Sequence, residues 1–119
     1  MDIAGKKAIV LGGTSGIGLA TSLMLVEKGA DVVAVSRDPS KAGDVPAGIR
    51  LAALDSRDSE AVEAFFNAEG DIDILVNSAT GGSRAFGPFM EMDMKGFQGS
   101  FDKLWGYANV LRYGASHVR

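Results

Sequence analysis

Apolar positions along the chain fall into short unbroken runs separated by stretches with helical spacing. Lys7 to Leu11 is such a run, ended by Gly12-Gly13, and it predicts a buried strand. From Gly16 to Lys28 two interleaved sets, Ile17, Ala20, Met24 and Leu19, Leu23, Val26, recur three and four apart and predict a helix closed by Gly29. Asp31 to Ser36 is apolar nearly throughout, as parallel strands covered on both faces are, and predicts a second strand. Pro39 to Pro46 reads as a loop or short helix, and Ile49 to Leu54 as a weaker third strand. Asp58-Ser-Glu60 supplies a cap and an acidic first turn for a helix ending at Gly70, with Val62, Phe65 and Phe66 on its core face. Ile72 to Val76 predicts a fourth strand, followed by a glycine-rich loop from Thr80 to Pro88 and a helix from about Met94 to the end.

Strand and helix patterns alternate, which predicts an α/β fold with a parallel sheet and right-handed crossovers. At 119 residues the chain is one domain's worth, 1–119, long enough to bury a core. Composition is ordinary for a globular protein, with 46% hydrophobic and 23% charged residues. The net charge of -3 and the scattered basic residues leave no nucleic-acid footprint. No apolar run reaches the roughly 18 residues that span a bilayer, and the first residues carry no signal-peptide pattern. Zero cysteines remove disulfides, thiolate metal sites and a Cys nucleophile. A cytoplasmic location is the expectation.

The chemistry is concentrated after the first strand, where Gly12, Gly16 and Gly18 are spaced Gly-x-x-x-Gly-x-Gly. A strand-to-helix turn presents free backbone N–H groups and the positive end of a helix dipole. A pyrophosphate can sit there if no Cβ blocks its approach. The alternative is a tight turn without a ligand. A P-loop fits less well, because no Lys-Ser/Thr follows the last glycine.

The segment Leu11-Gly-Gly-Thr-Ser-Gly-Ile-Gly18 resembles the Thr-Gly-x-x-x-Gly-x-Gly turn of the short-chain dehydrogenase/reductases, with Leu11 in place of Thr. The resemblance covers nearly the whole chain but only the first half of that family's fold. It implies a Rossmann-like three-layer α/β/α domain with a sheet ordered 3-2-1-4. It also implies that Gly12, Thr14, Ser15, Gly16, Ile17 and Gly18 lie against the cofactor pyrophosphate. An acidic residue about 20 positions past the glycines holds the ribose hydroxyls of NAD; here Ser36 stands in that place and Arg37 follows. A guanidinium matches a 2′-phosphate that a carboxylate would repel, so NADP(H) is expected over NAD(H). The alternative for Arg37 is a solvated surface cation, and the absence of a basic residue at Ser15 counts slightly against NADP(H). By resemblance Asp55, with Ser56 beside it, accepts from the adenine amino group. Asn77-Ser-Ala-Thr80 looks like an altered Asn-Asn-Ala-Gly motif in which Asn77 and Ala79 match, beside the cofactor ribose.

The family's proton donor is a Tyr with a Lys four residues later. Neither tyrosine fits, since Tyr107 is followed at the fourth place by Leu111 and Tyr113 by His117. The place of the family's Asn on the last helix holds Lys103, a weak catalytic candidate. On that helix Phe97, Phe101, Leu104, Ala108, Leu111, Ala115 and Val118 form one stripe, and Gly106, Val110, Tyr113 and Gly114 a second face. One face can pack on the sheet while the other meets a partner. A homo-oligomer, dimer or tetramer, is therefore expected through this helix and the edge of strand four. The first expectation is an NADP(H)-binding domain without the Tyr-x-x-x-Lys pair. Its rivals are an oxidoreductase with a non-standard or oligomer-completed site, and a folded scaffold that binds no nucleotide.

Overall fold

The strands form because buried parallel strands need apolar side chains on both faces, and the runs read above supply them. The computed structural model describes residues 1–80 and 85–119. Residues 81–84 of the glycine-rich loop lie outside the described residues. The strands are β1 (Lys7–Leu11), β2 (Asp31–Ser36), β3 (Ile49–Ala53) and β4 (Ile74–Asn77). They form one parallel sheet ordered β3-β2-β1-β4, with Ile9 opposite Val33 on one side and Leu75 on the other. The helices are α1 (Gly16–Glu27), α2 (Ser59–Glu69), α3 (Met94–Gly99) and α4 (Phe101–Gly114). Single 3-10 turns lie at Pro39–Lys41, Phe89–Glu91 and Ala115–His117.

Alternate strand residues feed two core layers, as the two-residue period of a strand requires. Ile9, Leu11, Val33 and Val35 meet Val62 and Phe66 of α2 and Val110 of α4. Ala8, Val10, Val32 and Ala34 meet Leu25 of α1 on the other side. Asp58 caps α2 by accepting from the Ala61 N–H at 3.1 Å, and Gly70 ends it with φ +73°. Two residues of its expected core face, Val62 and Phe66, are fully buried, with Phe65 packed beside them.

Three elements differ from the sequence pattern. In α1 the inward residues are Gly18, Ser22 and Leu25, while Ile17 and Met24 are 82% and 58% exposed. Helix α1 is apolar on all sides, so its period names no face. The helix expected from Met94 onward is broken at Ser100, whose N–H is shared between the Gly96 and Phe97 carbonyls at 3.1 and 3.2 Å. Gly96, Gly99 and Ser100 are poor helix formers, and the chain tightens there before α4 begins. Third, Ile72 does not extend the β1–β4 ladder. Its N–H donates to the His117 carbonyl and its own carbonyl accepts from the Arg119 N–H, both at 3.0 Å, in a parallel bridge with Val118.

Of the two faces of α4, the small one turns inward. A Cβ on Gly114 would stand 2.7 Å from the Phe66 ring, so glycine is what lets α4 settle on α2. The stripe of Phe101, Leu104 and Leu111 faces outward, 55–68% exposed. At the opposite end of the sheet from the carboxyl ends of the strands, Lys7 and Arg50 both pair with Glu69. Burial raises the Glu69 pKa, but hydrogen bonds from Arg50 and Lys7 outweigh it and leave the carboxyl below its ordinary value.

Phe66 joins α2, α4 and the sheet. Phe66→Ala is expected to cost about 3–5 kcal/mol, a large share of the roughly 5–15 kcal/mol by which a domain is stable. Urea unfolding followed by circular dichroism measures it, and a loss below about 1 kcal/mol would show that the α2–α4 seam carries little of the stability.

Candidate cofactor-binding site

In a sheet ordered 3-2-1-4 the crossovers reverse direction between β1 and β4, and a crevice opens outside the carboxyl ends of the strands. A cleft of about 850 Å³ lies there, walled by the ends of all four strands and by α4. The turn between β1 and α1 forms its floor. Gly12 and Gly13 both donate to the Val35 carbonyl, at 2.8 and 3.2 Å, which ties the turn to β2. The buried Ser22 hydroxyl lies 3.1 Å from the Gly13 carbonyl and 3.0 Å from that of Gly18, locking the turn to the helix it opens.

The three motif glycines serve different ends. A Cβ on Gly18 would stand 1.8 Å from the Gly12 carbonyl oxygen, and one on Gly12 would stand 2.8 Å from the backbone of Ser78 and Ala79. Those two positions are closed by the protein's own backbone, so their glycines need no ligand to explain them. Gly16 is the exception. It has φ +53°, and among the described residues nothing beyond its own turn of chain lies within 4 Å of a Cβ built there. The open space beside it belongs to the cleft, and only here does the question of a visiting group arise.

The structure brings all the sequence-predicted positions to this one cleft. Gly12, Thr14, Ser15, Gly16, Ile17 and Gly18 line it from β1 and α1, Ser36 and Arg37 from the end of β2, and Asp55 and Ser56 from the end of β3. Asn77 and Ala79 line it from β4, and Lys103 from α4. Asn77 turns its side-chain oxygen back to accept from the Ala79 N–H at 3.3 Å. Among the described residues its Nδ2 is then buried without a partner, and the buried Ser36 Oγ is likewise unpaired. Buried polar atoms without partners are rare and ask for an explanation.

Sequence reasoning missed Lys41, Arg57 and Asp38, which also line the cleft. Arg57 embraces Asp55 with Nε and Nη2 at 3.0 and 2.8 Å. These side-chain hydrogen bonds, against the opposing effect of burial, hold the Asp55 carboxyl below its usual range. Asp38 caps the turn carrying Lys41 by accepting from the Ser40 N–H and hydroxyl. Among the described residues the wall therefore carries four cations, Arg37, Lys41, Arg57 and Lys103, against two carboxylates, Asp38 and Asp55. The side chains of Lys103 and Tyr107 lie together on this wall, the ammonium 5.7 Å from the ring centre.

The profile of the short chain dehydrogenase family matches residues 6–116. L-xylulose reductase of Mesocricetus auratus is 37% identical over 106 residues, 86% of this chain and 42% of that protein. D-erythrulose reductase of Gallus gallus is 34% identical over 106 residues, again 86% of this chain and 42% of the relative. A short chain dehydrogenase of Burkholderia cenocepacia, solved in complex with NADP, superposes with a TM-score of 0.86 at 27% identity, covering 98% of this chain and 50% of that one. The chain belongs to the short-chain dehydrogenase/reductase family, and it spans less than half the length of these curated relatives.

The family takes a nicotinamide dinucleotide, and the residues present fit one. Among the described residues, two orphaned buried polar atoms, an open position above Gly16 and an excess of positive charge meet in one cleft, as a polar anionic ligand requires.

The division among the glycines makes a sharp expectation. Gly16→Ala should fold with a stability loss of about 1–2 kcal/mol from its left-handed backbone, yet fill the space beside the turn and weaken dinucleotide binding at least tenfold. Gly18→Ala should lose the fold itself. Thermal denaturation beside a binding titration distinguishes the two, and equal behaviour of the variants would contradict the assignment.

Proposed function

We propose that the protein binds a nicotinamide dinucleotide in this cleft and prefers NADP(H) to NAD(H). The observation that carries the reading is the end of β2, where Ser36 Oγ is buried without a partner and Arg37 follows without a carboxylate partner among the described residues. Ser36 would donate to the ribose or to its 2′-phosphate, and Arg37 would pair with that phosphate. Lys41, one turn further on, adds a second cation. A carboxylate in Ser36's place would have taken the hydroxyls of NAD(H) instead.

The free N–H groups at the start of α1 would hold the pyrophosphate, with Gly16 leaving room for it. Asp55 would accept from the adenine amino group, and Asn77 would donate through Nδ2 to the ribose on the nicotinamide side. Thr14, Ser15, Ser56 and Ala79 shape the walls between these points. The nicotinamide supplies a hydride when the cofactor is bound; these residues bind and orient. The NADP complex of the Burkholderia cenocepacia relative supports the choice of cofactor.

Calorimetric titration with NADPH and with NADH tests the reading. Tighter binding of NADPH is expected, and Arg37→Glu should lower NADPH affinity about 10–100-fold, the worth of a charge-assisted pair, while leaving NADH nearly unchanged. Equal affinities in the wild type would make Arg37 a surface cation, and absence of binding would make the turn architecture without its ligand.

The outward stripe of α4 supports a second part of the proposal, that two copies of the chain associate through this helix and the β4 edge. Phe101, Leu104, Trp105 and Leu111 are all more than half exposed on one element, an apolar concentration that monomers seldom leave open. Sedimentation velocity at micromolar concentration should give a dimer or tetramer, and Leu104→Glu with Leu111→Glu should give a monomer. A monodisperse wild-type monomer would remove this part.

A further inference from the structure

Asp55 leaves the end of β3 with its carboxylate held from three directions by one residue. Oδ1 accepts from both the backbone N–H and the Nε of Arg57, each at 3.0 Å, and Oδ2 accepts from Nη2 at 2.8 Å. An ionised carboxylate has about two acceptor sites on each oxygen. Oδ1 is thereby filled, and Oδ2 keeps one site. Arg57 is itself held by α4. Its Nη1 reaches Asp102 at 3.4 Å, and its carbonyl accepts from the Trp105 indole N–H at 3.1 Å. The adjoining Ser56 carbonyl accepts from the buried Asn109 side chain at 2.9 Å, and Gly106 lets α4 come close enough for these contacts.

A carboxylate so fixed can only accept a hydrogen bond, and at one place. We propose that Arg57 is a positioning residue that makes Asp55 a single-site acceptor for the exocyclic amino group of adenine, and so sets the base selectivity of the cleft. The inference rests on the reading above that Asp55 meets the adenine ring. A 6-amino purine donates to the remaining Oδ2 site. A 6-oxo purine presents a carbonyl oxygen there, and two acceptors then face each other with no proton between them. A site built to accept from a ligand N–H selects against an analogue that lacks it more strongly than shape alone does. Without the guanidinium, only the Arg57 backbone N–H still holds Oδ1, water can take the vacated sites on both oxygens, and the geometric basis of the choice is lost.

The test compares NADPH with its deaminated analogue, in which hypoxanthine replaces adenine, by calorimetric titration of the full chain. The wild type should prefer NADPH by about tenfold or more, the size of one well-made hydrogen bond to a charged group. Arg57→Met keeps the length of the side chain without its donors and should bring the preference below about threefold. Arg57→Lys restores one donor and should recover part of it, which a merely structural role would not produce. If Arg57→Met weakens both ligands equally and keeps their ratio, or if the wild type does not discriminate, Arg57 does not select the base and the inference is overturned. Should Arg57→Met fail to fold, the Arg57→Lys ratio decides alone, and an unchanged ratio overturns the inference. Failure of the underlying reading looks different: if no dinucleotide binds, the wild type takes up neither ligand, and if Asp55 does not meet the adenine ring, Asp55→Ala keeps the wild-type ratio, and in either case both fall together.

Discussion

The contact between Gly18 and the Gly12 carbonyl governs where α1 can lie, and most of the cleft follows from it. The backbone of the helix's first turn rests on the end of β1, at a distance no side chain would allow. One turn on, the single Ser22 hydroxyl proton lies within reach of both the Gly13 and Gly18 carbonyls, and Leu25 continues the contact into the layer of Ala8, Val10 and Ala34. The helix is thus aimed with its amino end at the cleft, where its unpaired N–H groups and dipole face outward. Gly12 makes the matching approach to the chain leaving β4. The strand ends on either side of the reversal point are therefore joined by backbone, not side chains.

Much of this was legible in the sequence, for a physical reason. Buried parallel strands read as continuous apolar runs, and β1 and β2 fall where the runs at Lys7 and Asp31 place them. The reading failed where local pattern does not determine the outcome. Helix α1 has apolar side chains all round, and a backbone contact, not hydrophobicity, chose Gly18, Ser22 and Leu25 as its inner face. Ile72 is as apolar as a strand residue should be, yet its partner is Val118, forty-six positions away in a segment with no strand pattern of its own. Helix α4 carries a good apolar stripe and a face of small residues. The small face won the interior because Gly106 and Gly114 permit an approach to Ser56 and Phe66 that Leu104 or Leu111 would prevent.

The site divides along the same line. Glycines of the turn, Ser36 and Arg37, Asp55 and Asn77 stand at or soon after the end of a strand, so strand assignment alone delivers them to one edge of the sheet. Arg57, Asp102, Trp105 and Asn109 had no such signal. Their hydrogen bonds join positions 45 to 53 residues apart, and nothing in the local sequence couples the turn after β3 to the first half of α4. Lys41 is placed by a short capped turn whose direction depends on Asp38 and Ser40.

Charge is apportioned differently at the two ends of the sheet. At the amino ends of the strands, Lys7 and Arg50 share Glu69, and the three groups satisfy one another. At the carboxyl ends, Arg57 is spent on Asp55 and Asp102, so its worth lies in orientation more than in field. Arg37 has no such partner among the described residues, although it is close enough to Asp55 to help keep that carboxyl ionised. The Arg37 guanidinium is exposed and hydrated, whereas the Ser36 hydroxyl beside it is buried without a partner among the described residues, a cost that a hydrogen-bonding ligand in the cleft would offset. In a chain whose net charge is -3, that local excess of positive charge is a directed feature. It concentrates the field at one point of the surface, and low-dielectric walls on either side strengthen it.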